Sequence, residues 1–390
     1  MKAAAAFAAG FRRETRFLRH SFWDLALLTW VPLLLLATVA IQLSAGVMRD
    51  LPIVVVDEDG SGIARETARR LDAAPGLRVA AVAGDMKQAE HLVRTRDAYA
   101  VVLIPAGTAR TVLRGGTARV LAFYNASYST ASGAALREIS GAVQAYAARL
   151  AAEQSAIVAG PGKVRRPPIA VQSRILFNPQ GSYELQLVAL IHPALLHLIF
   201  MVAVAGALGR ELRDGTIGAW IGETERGEAA MRIAGKIAPY FLVFMGWGAL
   251  ATGYLAIGRG WPVTGSTALL LAGYAAMYLA YVGVALLFAG LTLSMGSALS
   301  LTGLYAGASF AFAGAIFPIE AASAFARLWS ALLPYTAFAQ LLAEQWMMGS
   351  PAAVSLRHLL VMLIFLTVGL AIGLPRYIAA AAQPETWGRR

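Results

Sequence analysis

The chain has 390 residues, 58% of them hydrophobic and only 14% charged, and its mean hydropathy is +0.61. A soluble globular domain is far less apolar, so this composition calls for a bilayer. The formal net charge of +11 comes without any RNA- or DNA-binding motif, so membrane orientation and contact with anionic lipid, not nucleic acid, account for the excess. Cysteine is absent, which removes disulfides and thiolate metal sites.

Residues 1–24 form a basic lead. The run Phe11-Arg12-Arg13-Glu14-Thr15-Arg16-Phe17-Leu18-Arg19 interleaves aromatic and basic residues at helical spacing, as in a cytoplasmic interfacial helix leading into the bilayer; a solvated basic tail that only sets orientation reads equally well. Residues 25–48 give a first span with its core at Leu25–Val47. The motif Leu43-Ser44-Ala45-Gly46 also suits a cleaved signal peptide, but the charged lead is long for a signal. The apolar run also reaches the roughly 20 residues that a bilayer core requires.

Residues 49–184 carry more than half of all the charges and read as a separate α/β domain. Ile53-Val54-Val55-Val56, closed by Asp57-Glu58-Asp59-Gly60, is a buried strand entering a turn. Leu77–Val82, Tyr99–Ile104 and Arg119–Tyr124 repeat that pattern. Helical stretches fall at Ser61–Ala73, Asp85–Arg94, Ala106–Arg114 and Ala131–Gln154, and strands alternating with helices give an α/β sheet. The three acidic residues at 57–59 are read as turn formers, since no second ligand cluster accompanies them. Asn125-Ala126-Ser127 is formally a glycosylation sequon.

Five further spans are predicted with cores at Leu185–Leu208, Ile237–Ile257, Thr267–Ala289, Ala298–Phe317 and Leu359–Ile378. From Trp261 to Ile319 there is no Asp, Glu, Lys or Arg, a run long enough for two of these spans with a turn near Ser294-Met295-Gly296-Ser297. The expectation is an α-helical integral membrane protein of six transmembrane helices, its transmembrane domain completed by 185–379 and followed by a tail, 380–390. Residues 318–357, interrupted by Pro334 and Glu344, read as a re-entrant pair of half-depth helices, since irregular backbone at membrane depth is tolerated where protein covers it. Lys and Arg in the short loops set orientation. With the N-terminus inside, thirteen of them lie in 1–24, in 209–236 and at the C-terminal end (Arg376, Arg389 and Arg390), against Arg259, Arg327 and Arg357 outside. Both termini are therefore placed in the cytoplasm and the α/β domain outside.

Chemistry is sparse. Gly160-Pro161-Gly162-Lys163 lacks the spacing and the hydroxyl residue of a P-loop, and neither H-E-x-x-H nor G-x-S-x-G occurs. His192 and His197 are candidate intramembrane polar residues; five apart, they lie about 140° around a helix and share no metal-binding face.

The most specific stretch is Gly209-Arg210-Glu211-Leu212-Arg213-Asp214-Gly215-Thr216-Ile217-Gly218-Ala219-Trp220, followed by Lys236-Ile237-Ala238-Pro239-Tyr240. A mixed-charge amphipathic piece held by a glycine turn between two spans is a handle by which a soluble protein can push a membrane helix. Thr216 is expected to cap a short helix beginning at Ile217, with Ile217 and Trp220 on its apolar face. The stretch resembles the R-E-R-x-x-G-T loop and K-x-x-P-Y entry of ABC-2 type transporter permeases, with Leu212 in place of the second Arg and Trp220 in place of a Leu. Trp30-Val31-Pro32, Phe177-Asn178-Pro179, Gly314 to Glu320 and Leu333-Pro334-Tyr335-Thr336 resemble further landmarks of that family. The large outside domain resembles its bacterial multidrug-type branch.

The resemblance implies a non-enzymatic, membrane-spanning permease subunit of an ATP-driven exporter in the bacterial inner membrane. Its substrate would be hydrophobic or amphiphilic, moved out of the cytoplasm or inner leaflet. Arg210, Glu211, Gly215, Thr216, Ile217 and Trp220 would form the ATPase-coupling loop. The chain would bind no cofactor, ATP and Mg belonging to a partner nucleotide-binding ATPase subunit. A second permease would complete a homodimer or heterodimer, with a periplasmic adaptor as a further partner and multidrug efflux as the activity of the branch. Phe177, Asn178, Pro179, Pro318 and Pro334 are the candidate exit or gate region, and spans two and five the expected lining. The rival from another class is a membrane-anchored receptor or assembly factor whose α/β domain binds a partner outside; an intramembrane enzyme is disfavoured by the lack of paired catalytic residues in the spans.

Overall fold

A computed structural model of the chain describes residues 2–159, 178, 181–314 and 319–388. The chain divides into two compact units, one of Met1–Ser44 with Tyr183–Arg390, the other Ala45–Ser182.

The first unit begins with α1 (Lys2–His20), whose buried stripe Ala6, Gly10, Glu14 and Leu18 recurs every four residues, while Arg12, Arg16 and Arg19 face outward. The helical spacing of the sequence is thus realised, with the polar Glu14 on the inward face. After Ser21, α2 (Phe22–Leu28) and α3 (Trp30–Gln42) follow, broken at Thr29. Pro32 falls in the first turn of α3, where its missing N–H costs no helical bond.

The second unit reads β1 (Leu51–Asp57), α4 (Gly62–Asp72), β2 (Leu77–Ala83), α5 (Met86–Arg94), β3 (Ala100–Ile104), α6 (Thr108–Leu113), β4 (Leu121–Tyr124) and α7 (Ser129–Ala159). The sheet order is β2-β1-β3-β4. β1 is parallel to both neighbours and β4 is antiparallel to β3. Four consecutive apolar residues in β1 are explained by burial on both faces: Ile53 and Val55 pack with Leu71, Ala135 and Ile139, and Val54 and Val56 with Ala89 and Val101, the arrangement a parallel sheet requires. Ser61 and Asp85 cap α4 and α5 by accepting hydrogen bonds from Ala64 and Gln88 amides. Asp57 closes its turn as a local acceptor, its Oδ1 taking the amides of Asp59 at 3.0 Å and Gly60 at 2.7 Å.

The first unit resumes with α8 (Tyr183–Arg213), most of whose surface is buried, then α9 (Thr216–Ile221) and α10 (Arg226–Gly253), which ends in a π-helical turn at Tyr254–Gly258. There follow α11 (Thr267–Thr292), α12 (Met295–Gly307), α13 (Ser309–Phe312), α14 (Ala324–Ala331), α15 (Pro334–Leu342), α16 (Ala352–Val368) and α17 (Leu374–Ala380). Two close helix crossings depend on glycine. A Cβ on Gly10 would collide with the carbonyl of Arg232, and one on Gly235 with that of Phe7, so α1 and α10 touch backbone to backbone. Gly283 of α11 and Gly369 after α16 meet in the same way.

Among the described residues five helical segments are long and apolar enough to cross a membrane: Phe22–Gln42, Tyr183–Arg213, Arg226–Gly258, Thr267–Thr292 and Ala352–Ala380. The expected span over Ala298–Phe317, of which 315–317 lie outside the described residues, is interrupted in its described part. α12 has 13 residues, about 20 Å of helix against a core of about 30 Å, and the chain breaks at Ala308 after Gly303 and Gly307. Glycine lowers helix propensity without lowering hydropathy, so the apolar run concealed the break. Within the segment expected to be re-entrant, the described residues form two short helices, α14 and α15, with Pro334 buried in the first turn of α15.

Candidate functional site

α8 outlasts its apolar stretch and carries Arg210 and Glu211 into a closed ionic cluster. Arg210 donates from Nη2 to Glu14 Oε1 at 2.6 Å and from Nη1 to Asp24 Oδ1 at 3.1 Å. Lys236 of α10 donates to Glu14 Oε2 and, at 2.8 Å, to Glu211 Oε1. Arg13 grips Glu211 with both terminal nitrogens, at 2.6 and 3.0 Å, and the Tyr240 hydroxyl donates to Glu14 at 2.6 Å. Three carboxylates thus meet three cations from α1, α2, α8 and α10. Glu14 is 1% exposed and Lys236 0%; charges so deeply removed from water persist only when paired and hydrogen-bonded. Aromatic faces complete the cage, with the Arg210 guanidinium 3.5 Å from the Phe17 ring centre and Arg13 5.0 Å from that of Trp220.

The loop leaving this cluster turns at Gly215, whose φ of 67° is left-handed and suits glycine. Thr216 does not cap the next helix as expected. It is the first residue of α9, and its hydroxyl donates to Glu211 Oε2. Ile217 and Trp220 do share the apolar face of α9, and that face turns inward: with Ile221 they are buried in the chain's own core. A short helix held between two long ones hides its apolar side against them, since leaving it exposed would forgo the burial free energy of a Trp and two Ile side chains. Trp387 covers the other side: a Cβ on Gly218 would collide with its ring, and the Gly388 amide donates to Leu212 O at 3.0 Å. What α9 and its flanks leave exposed is polar or small, namely Arg213, Asp214, Thr216, Ala219, Gly222, Glu223 and Glu225.

A long buried helix, a glycine-turned short helix and a second long helix carrying Lys236 and Pro239 thus follow one another in the chain. The model described as ABC-2 family transporter protein matches residues 22–374. The chain belongs to the ABC-2 transporter family. A search of curated proteins gave no match. With its several apolar helices, this ABC-2 transporter protein is a multi-pass membrane protein and a transport component. The match starts at Phe22, so Arg13 and Glu14 bring into the cluster a helix that lies outside the matched residues.

The other candidates of the ABC-2 protein are scattered. Phe177, Pro179 and Pro318 lie outside the described residues. Asn178 makes a tight turn, its side chain bonded to both the amide and the carbonyl of Ser182 at 2.8 and 2.9 Å. His192 Nε2 meets Leu36 O at 3.1 Å, whereas the His197 ring lies between Tyr281 and Tyr335, 4.5 and 4.8 Å away, with Nδ1 on Pro193 O. The two histidines are not brought together. Among the described residues no group of three or more His, Cys, Asp or Glu is placed to hold a metal.

Residues to which the sequence assigned no site role complete the picture. Glu14 was one acid within a basic run, and the only signal was its place on the i, i+4 stripe with Gly10 and Leu18. Glu184, 1% exposed, receives Arg259 Nε at 2.5 Å and Trp261 Nε1 at 3.0 Å, while Arg259 also donates to Ser44 O. Glu344 gathers Ser355, Arg357 and His358 within 3.1 Å.

Proposed function

We propose that the chain is the permease subunit of an ATP-driven exporter, moving a hydrophobic or amphiphilic substrate outward across a bacterial inner membrane, with nucleotide hydrolysed by a separate ATPase subunit. Both termini and the segment 214–225 between α8 and α10 lie on the cytoplasmic side and the unit 45–182 outside, following the charge bias of the short loops. The observation that carries the reading is the buried ionic cluster. It ties the loop between α8 and α10 to α1 through bonds that cannot slip without exposing or unpairing a charge, so displacement of α9 is transmitted to α1, α8 and α10 together. In this reading the ATPase meets Arg213, Asp214, Ala219 and Glu223, while Trp220 positions α9 from within. A second permease, identical or homologous, supplies the other half of the path, as the family resemblance implies.

Purifying the tagged chain from its native membranes tests the proposal. A P-loop ATPase should accompany it, and Glu223→Arg should weaken that association. A chain that purifies without any ATPase, but with a ligand held by the 45–182 unit, would replace the exporter reading with that of a membrane-anchored receptor.

A further inference from the structure

A groove of about 520 Å³ lies between α1, α10, α11 and the α16–α17 segment. Its walls are Phe7 and Phe11, whose rings stack 6.4 Å apart, with Phe241, Leu279, Leu366 and Leu370. Its floor is small: Ala230, Ala234 and Ala238 line it at a spacing of four on α10. The groove reaches along α10 from Ala230 to Leu242, about 18 Å at 1.5 Å per residue, close to the hydrocarbon depth of one leaflet of a bilayer about 30 Å thick. The lining is aliphatic and aromatic throughout, and three of its four walls come from helices long and apolar enough to cross a membrane.

Arg226 stands one turn before Ala230 on the same stripe of α10. It is exposed and has no ion-pair or hydrogen-bond partner among the described residues. An apolar slot one leaflet deep with an uncompensated cation at its polar end matches an amphiphile with an acyl tail and an anionic head.

We propose that this groove is a binding site for one anionic phospholipid of the adjacent leaflet, with an acyl chain between Phe7, Phe11 and Phe241 and the phosphate on Arg226. Bound there, the lipid joins α1 to α10 and α16 from the bilayer side, opposite the ionic cluster that joins α1 to α10 from within.

Native mass spectrometry of the full-length protein, released from detergent supplied with equal amounts of phosphatidylglycerol and phosphatidylcholine, tests the site. The wild type should retain one phosphatidylglycerol with a preference of about fivefold, the worth of one basic residue at a lipid surface. Arg226→Gln should abolish the preference while leaving some lipid bound, and Ala234→Phe, which fills the floor, should remove both lipids. Ala238→Phe repeats the filling elsewhere on the stripe in case Ala234→Phe fails to insert. The proposal is overturned if both fillers insert and retain lipid as the wild type does, or if Arg226→Gln keeps the preference. It is equally overturned if the fillers instead dissolve a dimer that carries no lipid, which would place a second copy of the chain in the groove.

Discussion

Glu14 and Lys236 are 222 residues apart in sequence and form an ion pair sealed from water, one on the first helix and the other within α10, the long helix that follows α9. Each has a second partner: Glu14 also receives Arg210 and Tyr240, and Lys236 also donates to Glu211. Removing one carboxylate therefore leaves two buried cations under-compensated.

Glu14→Gln should lower the unfolding free energy of the first unit by about 3–5 kcal/mol, the usual cost of breaking a buried pair from one side. The measurement is thermal unfolding of the purified protein in detergent. Lys236→Met added to Glu14→Gln should recover part of the loss, because the stranded ammonium is then gone. If Glu14→Gln unfolds like the wild type, the cluster is open to solvent and the proposed transmission through it is wrong.

The elements that were legible from sequence are those whose signal is local. The strand at Ile53–Val56 announced itself by β-branched residues ending in Asp and Gly, and helices α4 and α5 by Ser61 and Asp85 at their starts. The motif from Gly209 to Trp220 was legible as a turn between two long helices because Gly215 has few other uses there. What remained hidden is non-local. The partners of Glu14 lie about two hundred residues away, so its inward position leaves no trace in its neighbours. The apolar face of α9 could be drawn on a helical wheel, but amphipathicity does not say which body covers it. The break at Ala308 lay inside an apolar run because hydropathy averages over the glycines that weaken the helix.

The inward position of Trp220 separates two roles for α9. Trp220→Ala removes a side chain that is 8% exposed and packed beneath Arg13 and Lys236, so it should destabilise the protein by about 3 kcal/mol or more. Glu223→Arg, at an exposed position, should leave unfolding unchanged while reducing ATPase association. Comparing the two variants by unfolding and by co-purification decides the matter. Loss of ATPase binding in a fully stable Trp220→Ala protein would mean that the ring turns outward to the partner.

Sidedness follows from single cysteines in this cysteine-free chain. Gly115 has a φ of 76° and a Cβ on Gly222 would collide with Gly218 O, so the neighbouring exposed residues Arg114 and Glu223 are the better positions. In intact cells, with the outer membrane permeabilised, an impermeant thiol reagent should label Arg114→Cys and spare Glu223→Cys until the inner membrane is opened. The reverse pattern would invert the topology and with it the assignment of the α8–α10 loop to an ATPase.

Asp59 links the end of β1 to α6, accepting the amides of Gly107 at 2.8 Å and Ala109 at 3.1 Å. A hydrogen bond from Ser61, with those amides, holds its carboxyl below the ordinary value of 3.8, against the opposing effect of burial. A group whose pKa is depressed on folding stabilises the fold above its unfolded value, and this contribution is lost as pH falls through the folded value. The excised 45–182 unit should therefore unfold cooperatively at neutral pH, and Asp59→Asn should melt below it. The gap should stay constant from pH 7 down to about 5 and close as pH drops below 3.8. Melting temperatures of the two proteins across that range provide the check. A gap that persists undiminished at the acid end would show that the carboxylate's charge contributes nothing and that Asp59 acts through the shape of the turn alone.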